Sequence, residues 1–230
     1  EKDVQIRVQE KDDRYNFKLG AGFSDVNSLV GMAEISNNNF DISDPENWFY
    51  GGGQRFRIQG IFGFENQGVN VDFVEPWLFD IPLRFELSGF LNKVEYRDWS
   101  EERLGFRTSL TKKFFDDFTS VNVGYKFEYV NVNEISGRLK DYMRENNYDG
   151  HQFVSQPSLN LARDTRDSLI DPTRGYNVGL TGAISPKLLG SSENSYRLEG
   201  KGSYYYSFWD KAIVAMVGGK IGTVDTFGNG

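Results

Sequence analysis

The chain has 230 residues, a formal net charge of -7 at pH 7 and no cysteine. The lack of cysteine excludes disulfides, thiol chemistry and zinc sites of the cysteine type. The acidic balance argues against nucleic-acid binding, which needs clustered lysine and arginine. Aromatic residues make up 15% of the chain and glycine occurs 25 times. That combination favours β structure with one wet and one apolar face.

No stretch of the sequence approaches 18 consecutive apolar residues, so no transmembrane helix is predicted. The first residues also lack the apolar segment of a signal peptide, which suggests that an export signal was removed or that the chain is internal to a longer protein. The negative mean hydropathy does not exclude a membrane barrel. Such a barrel exposes only alternate residues to lipid.

The chain begins with a short alternating run, in which Val4, Ile6 and Val8 share one face. A charged break at residues 11–14 follows, and a longer alternating run then covers residues 15–24. About ten residues in this pattern are enough to cross a membrane at the usual tilt. We interpret this run as the first barrel strand; it comprises Tyr15, Asn16, Phe17, Lys18, Leu19, Gly20, Ala21, Gly22, Phe23 and Ser24.

Ten further strands are predicted from the same two-residue period. They lie near residues 29–37, 56–64, 69–73, 83–91, 104–110, 121–129, 153–162, 176–184, 196–206 and 212–224. A helical period is present only near residues 137–144, for a turn or two. The predicted fold is all-β, an antiparallel up-and-down transmembrane β-barrel. Because single-chain bacterial barrels close with an even number of strands, eleven strands suggest part of a longer protein.

The connections between strands differ in composition at the two ends of the predicted barrel. Those after odd strands are polar and sometimes long, at residues 93–102, 131–152 and 186–195. Those after even strands hold aromatics, which would form one ring at a membrane interface. We predict a periplasmic aromatic girdle made of Trp48, Trp77, Phe79, Phe114, Phe115 and Trp209. The connection at residues 38–53 is unusually long, and the sequence does not explain it.

Catalytic and metal-binding signals are weak, and we predict neither an enzyme nor a cofactor or metal. His151 lies in a long polar segment without a cysteine or serine-nucleophile partner, as a solvated loop histidine would. Residues 145–150 faintly resemble a calcium loop, but Gln156 occupies the position of the closing glutamate. The glycines at residues 51–53 precede a strand rather than a helix, which favours a turn or bulge over phosphate binding.

Residues 163–176 form a highly charged segment between two predicted strands. It contains Asp164, Arg166, Asp167, Asp171, Pro172, Arg174, Gly175 and Tyr176. One interpretation is an ordinary turn, in which aspartates cap backbone N–H groups and Pro172 presets the turn type. The other is a polar network of the arginines and aspartates that locks the turn or contacts a periplasmic partner.

Gly20 and Gly22 in the first barrel strand also allow two interpretations. They could relieve crowding in a curved wall. Alternatively, they could weaken strand pairing at a seam of the barrel, so that the seam opens and offers backbone groups to an incoming strand. The sequence alone leaves both open.

The chain resembles the Omp85 superfamily of outer-membrane proteins, and within it the BamA-like assembly factors. Residues 164–176 are similar to the family pattern D-x-R-D…DPT-x-G-Y, and residues 71–78, VDFVEPWL, resemble its fourth strand. The resemblance implies that residues 1–11 end a periplasmic POTRA domain and that residues 12–230 are the first part of a sixteen-strand barrel. The family motif V-R-G-F/Y is not in this sequence.

The resemblance implies assembly and insertion of outer-membrane β-barrels, with client strands pairing at a lateral seam that involves residues 15–24. It implies nascent outer-membrane proteins, the lipid bilayer and accessory outer-membrane lipoproteins or other assembly subunits as partners. The expected location is the bacterial outer membrane, with the N-terminal residues in the periplasm. The alternative is a two-partner-secretion type translocation pore of the same superfamily, and a passive porin is a third possibility.

Overall fold

The computed structural model describes residues 15–24, 28–114, 116–135, 138–146, 150–209 and 212–228. The described residues form eleven strands and one α-helix, α1, which is Arg138–Glu145 between β7 and β8. The strands are β1 Asn16–Ser24, β2 Ser28–Phe40, β3 Gln54–Gly63, β4 Asn66–Glu75, β5 Leu83–Glu95, β6 Ser100–Phe114, β7 Thr119–Asn133, β8 Gly150–Asp164, β9 Gly175–Ser185, β10 Ser195–Phe208 and β11 Ile213–Thr226. All eleven strands predicted for the barrel are confirmed. The short strand predicted at residues 4–8 lies outside the described residues.

The strands form one antiparallel sheet in which each strand pairs with the next along the chain. The sheet is open, and β1 and β11 are its two edge strands. This order is the up-and-down meander that the two-residue period predicted. Within the described part of the chain, no helix is long and apolar enough to cross a bilayer.

The two faces of the sheet differ sharply in chemistry. Directly paired residues share a face, and one polar row crosses eight strands through Asn16, Ser36, Arg57, Asp72, Ser88, Arg107, Lys126 and Gln156. The neighbouring row is apolar and contains Phe17, Ile35, Ile58, Val71, Gly89, Phe106 and Phe127. We call these the inner and the outer face. Because the apolar side chains of the outer face are exposed, the wall suits a lipid solvent rather than water.

Charged side chains on the inner face are paired with one another. Lys18 Nζ lies 2.8 Å from Glu34 Oε1, and Arg57 Nη2 lies 2.7 Å from Asp72 Oδ2. Glu128 is buried between strands, where its carboxylate meets Lys126 Nζ at 2.8 Å. Among the described residues, only two hydrophobic side chains are buried in the conventional sense. The wall is therefore held mainly by its backbone ladder and by these polar contacts, since lipid offers no partners to backbone groups.

The polar connections are shorter than the sequence predicted. The connection expected at residues 93–102 is reduced to residues 96–99, because β5 and β6 continue as a hairpin closed by the 2.8 Å hydrogen bond from Tyr96 N to Trp99 O. Likewise, His151 lies in β8 rather than in a loop, and its ring stacks on Tyr129. Polar residues lie on the outer face at these strand ends, namely Lys93, Glu102, Asn131 and His151. The strand ends therefore lack the apolar alternation from which strands were predicted.

Candidate functional site: the first strand and the charged turn

The strand β1 is an edge strand along its whole length. It pairs with β2 over nine residues, from Asn16 opposite Ser36 to Ser24 opposite Ser28. Its other edge has no neighbouring strand among the described residues. With nine residues it is the shortest of the eleven strands described. The predicted segment 15–24 thus coincides with β1, except that Tyr15 precedes the strand.

The glycines of β1 are not required by packing within the sheet. A Cβ atom at Gly22 would meet nothing within 4 Å, and one at Gly20 would make an ordinary 3.5 Å contact with Met32 Cε. By contrast, a Cβ at Gly105 in β6 would lie 2.3 Å from the Phe127 carbonyl oxygen. Crowding against β2 therefore does not explain the glycines of β1. Their effect is to lower the intrinsic strand preference of an edge strand.

The charged turn comprises residues 165–174, between β8 and β9. On the outer side, Arg163 anchors its base to the preceding turn: Nη1 donates to Asp116 Oδ2 at 2.6 Å and to Thr119 Oγ1 at 2.8 Å. Arg163 Nε also donates to the Tyr176 hydroxyl at 2.9 Å. Sequence reasoning did not connect Asp116 with this turn, because the two partners lie 47 positions apart and no local pattern joins them.

A second set of contacts holds the turn from within. Arg166 forms a bidentate pair with Asp164, with Nε to Oδ1 at 2.9 Å and Nη2 to Oδ2 at 2.6 Å. Hydrogen bonding to Asp164 raises the pKa of Arg166. Asp167 accepts hydrogen bonds from the Thr173 hydroxyl and from the backbone N–H groups of Thr173 and Arg174. These donors lower the pKa of the Asp167 carboxyl, so it stays ionised at neutral pH.

Gly175, the first residue of β9, follows the turn in a conformation that favours glycine. Its φ is +102°, and a Cβ at this position would lie 2.4 Å from the Thr165 carbonyl oxygen. The exposed tip of the turn presents Leu169 and Ile170, the latter 97% exposed, next to Asp171. The turn is thus a rigid base with an apolar tip.

A family model, the Omp85 superfamily domain, matches residues 47–230 of the chain. The chain belongs to the Omp85 superfamily. The predicted resemblance is confirmed, and the charged turn lies within the matched residues. An Omp85-type β-barrel implies the bacterial outer membrane as its location.

A solved structure supports the same fold for this Omp85 chain. It is BamA from Haemophilus ducreyi lacking POTRA domains 1–3, with a TM-score of 0.72 and 16% sequence identity. The match covers 94% of this chain and 42% of the BamA chain, so the chain spans less than half of that structure's length. No curated protein matches the chain. The predicted transmembrane barrel fold is therefore confirmed.

The predicted aromatic girdle of the Omp85 barrel falls at one end of the sheet. Trp48, Trp77, Phe79 and Trp209 lie in connections after even strands, and their side chains are exposed. The girdle residue Phe114 ends β6, and the last one, Phe115, lies outside the described residues. Contact of this ring with a membrane interface stays a prediction.

Proposed function

We propose that this Omp85 chain is part of a BamA-like insertase, which assembles and inserts β-barrels into the bacterial outer membrane. In this proposal, a nascent client strand pairs with the free edge of β1. The observation that carries it is that β1 contains two glycines that packing against β2 does not require. An unpaired backbone group in hydrocarbon costs several kcal/mol, so both strands gain from pairing.

The proposed process needs no catalytic residue and no cofactor. Its free energy comes from client folding, as each client strand replaces missing backbone partners. The proposed partners are nascent outer-membrane proteins, the bilayer and accessory lipoproteins or other assembly subunits. Residues 1–11 would end a periplasmic POTRA domain, which places the even-to-odd connections at the periplasmic rim.

The charged turn would serve as a fixed contact at this periplasmic rim. The ion pairs of Arg163 with Asp116 and of Arg166 with Asp164 hold the base of the turn. At its tip, the side chains of Leu169 and Ile170 are exposed. Exposed apolar side chains on a rigid base suit a contact with an assembly subunit.

A disulfide between β1 and the final strand of the full-length barrel tests the proposal. We expect this tether to stop assembly of client barrels in proteoliposomes, and reduction to restore it. The control disulfide joins Ala21→Cys to Gly31→Cys, which are directly paired in β1 and β2, and should leave assembly intact. Continued assembly with the seam closed would contradict the proposal. Protein translocation that persists with the seam closed, without client insertion at any stage, would instead support the secretion pore, because such a pore passes its client through the lumen.

A further inference from the structure

The connection of residues 41–53, the β2–β3 loop, folds back onto the outer face of the sheet. Phe56 and Phe73 are paired across β3 and β4 and continue the apolar outer face. Phe40 stacks on Phe56 with ring centroids 4.8 Å apart, and Phe49 from the loop stacks on Phe40 at 5.4 Å. Phe40 is only 8% exposed as a result. The loop therefore covers wall that lipid would otherwise contact.

Hydrogen bonds hold the β2–β3 loop in one shape. Asp41 N donates to Phe49 O at 2.8 Å, and Phe49 N donates to Asp44 O at 2.9 Å. Trp48 and Phe49 both have φ of +56°, which is costly for side chains of this size and persists only where the surroundings enforce it. This backbone places Phe49 against Phe40 and leaves Trp48 72% exposed. Ile42, in the same loop, is also exposed.

A polar pair on the outer face indicates where the loop lies along the membrane normal. Gln54 and Glu75 lie one step beyond Phe56 and Phe73 on the same face, and Gln54 Nε2 donates to Glu75 Oε2 at 2.8 Å. A carboxylate on the lipid-facing side is costly in hydrocarbon and marks the boundary of the apolar band. The loop thus lies at the depth where tryptophan is most stable in a membrane.

The loop also contacts the start of the seam. The Tyr15 hydroxyl donates to the Trp48 carbonyl oxygen at 2.9 Å. Tyr15 precedes β1 and continues the alternation of Phe17 on the outer face. The loop therefore connects the beginning of β1 with the boundary of the apolar band.

We propose that the β2–β3 loop binds the lipid headgroup layer, with Trp48 and Ile42 inserted beside the start of β1. The loop contains three carboxylates and no lysine or arginine, so it favours zwitterionic amine headgroups over anionic ones. Two of these carboxylates, of Asp41 and Asp44, accept hydrogen bonds from the loop itself. The leaflet would be the periplasmic one, an assignment that rests on the proposed function, whereas lipid contact does not.

Spin labels on the full-length protein in phosphatidylethanolamine-rich vesicles test this proposal. One label is attached at Ile42→Cys; the control label is attached at Ile170→Cys, another exposed isoleucine at the same end of the sheet. Any cysteine outside these 230 residues is replaced by serine, and heat-modifiable migration on gels verifies that each barrel is folded. The ratio of accessibility to oxygen over a water-soluble nickel chelate should be severalfold higher at position 42 than at position 170.

Equal ratios at the two positions would overturn the proposal. Shielding of position 42 from both reagents would also overturn it, because a protein segment rather than lipid would then cover the loop. With Trp48→Ala, the ratio at position 42 should fall toward that at position 170. Replacing phosphatidylethanolamine by phosphatidylglycerol should also lower the accessibility ratio at position 42. None of these measurements needs a client, so they remain informative even if the seam mechanism fails.

Discussion

Gly175, which directly follows the charged turn, shows how a single residue is fixed by backbone geometry. The sequence pattern singled out this position, and the structure supplies the reasons: a positive φ and a carbonyl oxygen where a Cβ would lie. The contacts of Arg163 with Asp116 could not be predicted in this way, because they depend on two turns becoming neighbours in the sheet. Local chemistry was therefore readable from the sequence, and contacts between turns were not.

Replacing Gly175 by alanine should destabilise the barrel by about 1 to 3 kcal/mol, as expected for a residue forced into a sparsely populated backbone conformation. Urea unfolding in lipid vesicles, followed by tryptophan fluorescence, measures the change. The control is Gly89→Ala, whose Cβ would meet nothing within 4 Å and whose midpoint should stay close to wild type. Equal midpoints for the two variants would show that the turn does not need this glycine.

Asp167 should make the stability of the folded protein depend on pH in the acidic range. Its pKa is lowered by the Thr173 hydroxyl and by two backbone donors. A carboxyl of this kind stabilises the folded state above its unfolded pKa, and the contribution is lost as the pH falls through the folded value. The wild-type urea midpoint should thus drop as the pH falls below the ordinary value of 3.8. Asp167→Asn should show a smaller drop than the wild-type protein; parallel curves for the two proteins would contradict this role.

At the scale of single elements, two-residue alternation predicted every barrel strand that the structure describes. It failed where strands continue beyond the apolar band, as at Lys93 and Glu102, which are directly paired although they were predicted to lie in a connection. Both are charged residues on the outer face, so no apolar alternation marks these strand ends. The β2–β3 loop was unexplained for a related reason, since the stacking of Phe49 on Phe40 depends on a folded wall.

The low strand preference of β1 should matter for assembly. Gly22→Val raises the β propensity of β1 by about 1 kcal/mol. This is equivalent to roughly a fivefold shift of the equilibrium between open and closed seam toward the closed seam. We expect the variant to fold normally and to slow client assembly in proteoliposomes by up to that factor. Gly89→Val is the matched control, because its Cβ also has open space but lies in the interior strand β5. Equal slowing by both variants would remove the special role of β1.

At the scale of the whole molecule, the described chain is a wall with an apolar outer face, a charged inner face and two free edges. The fold follows from this wall and the family from the matched domain model, whereas the proposed activity depends on which strand pairs with β1. Strand pairing has a strict consequence, since side chains alternate and one residue of slippage moves every side chain to the other face. A client strand on β1 must therefore adopt a defined register.

Register-specific disulfide trapping measures this pairing most directly. Single cysteines at Lys18, Gly20 and Gly22, which share the inner face of β1, are combined in the full-length protein with single cysteines along the terminal strand of a client barrel. We predict that moving the β1 cysteine by two residues moves the trapped client position by two residues. Adducts that form without any such register would contradict pairing of the client strand with β1. The absence of adducts along β1 while assembly proceeds would contradict it as well.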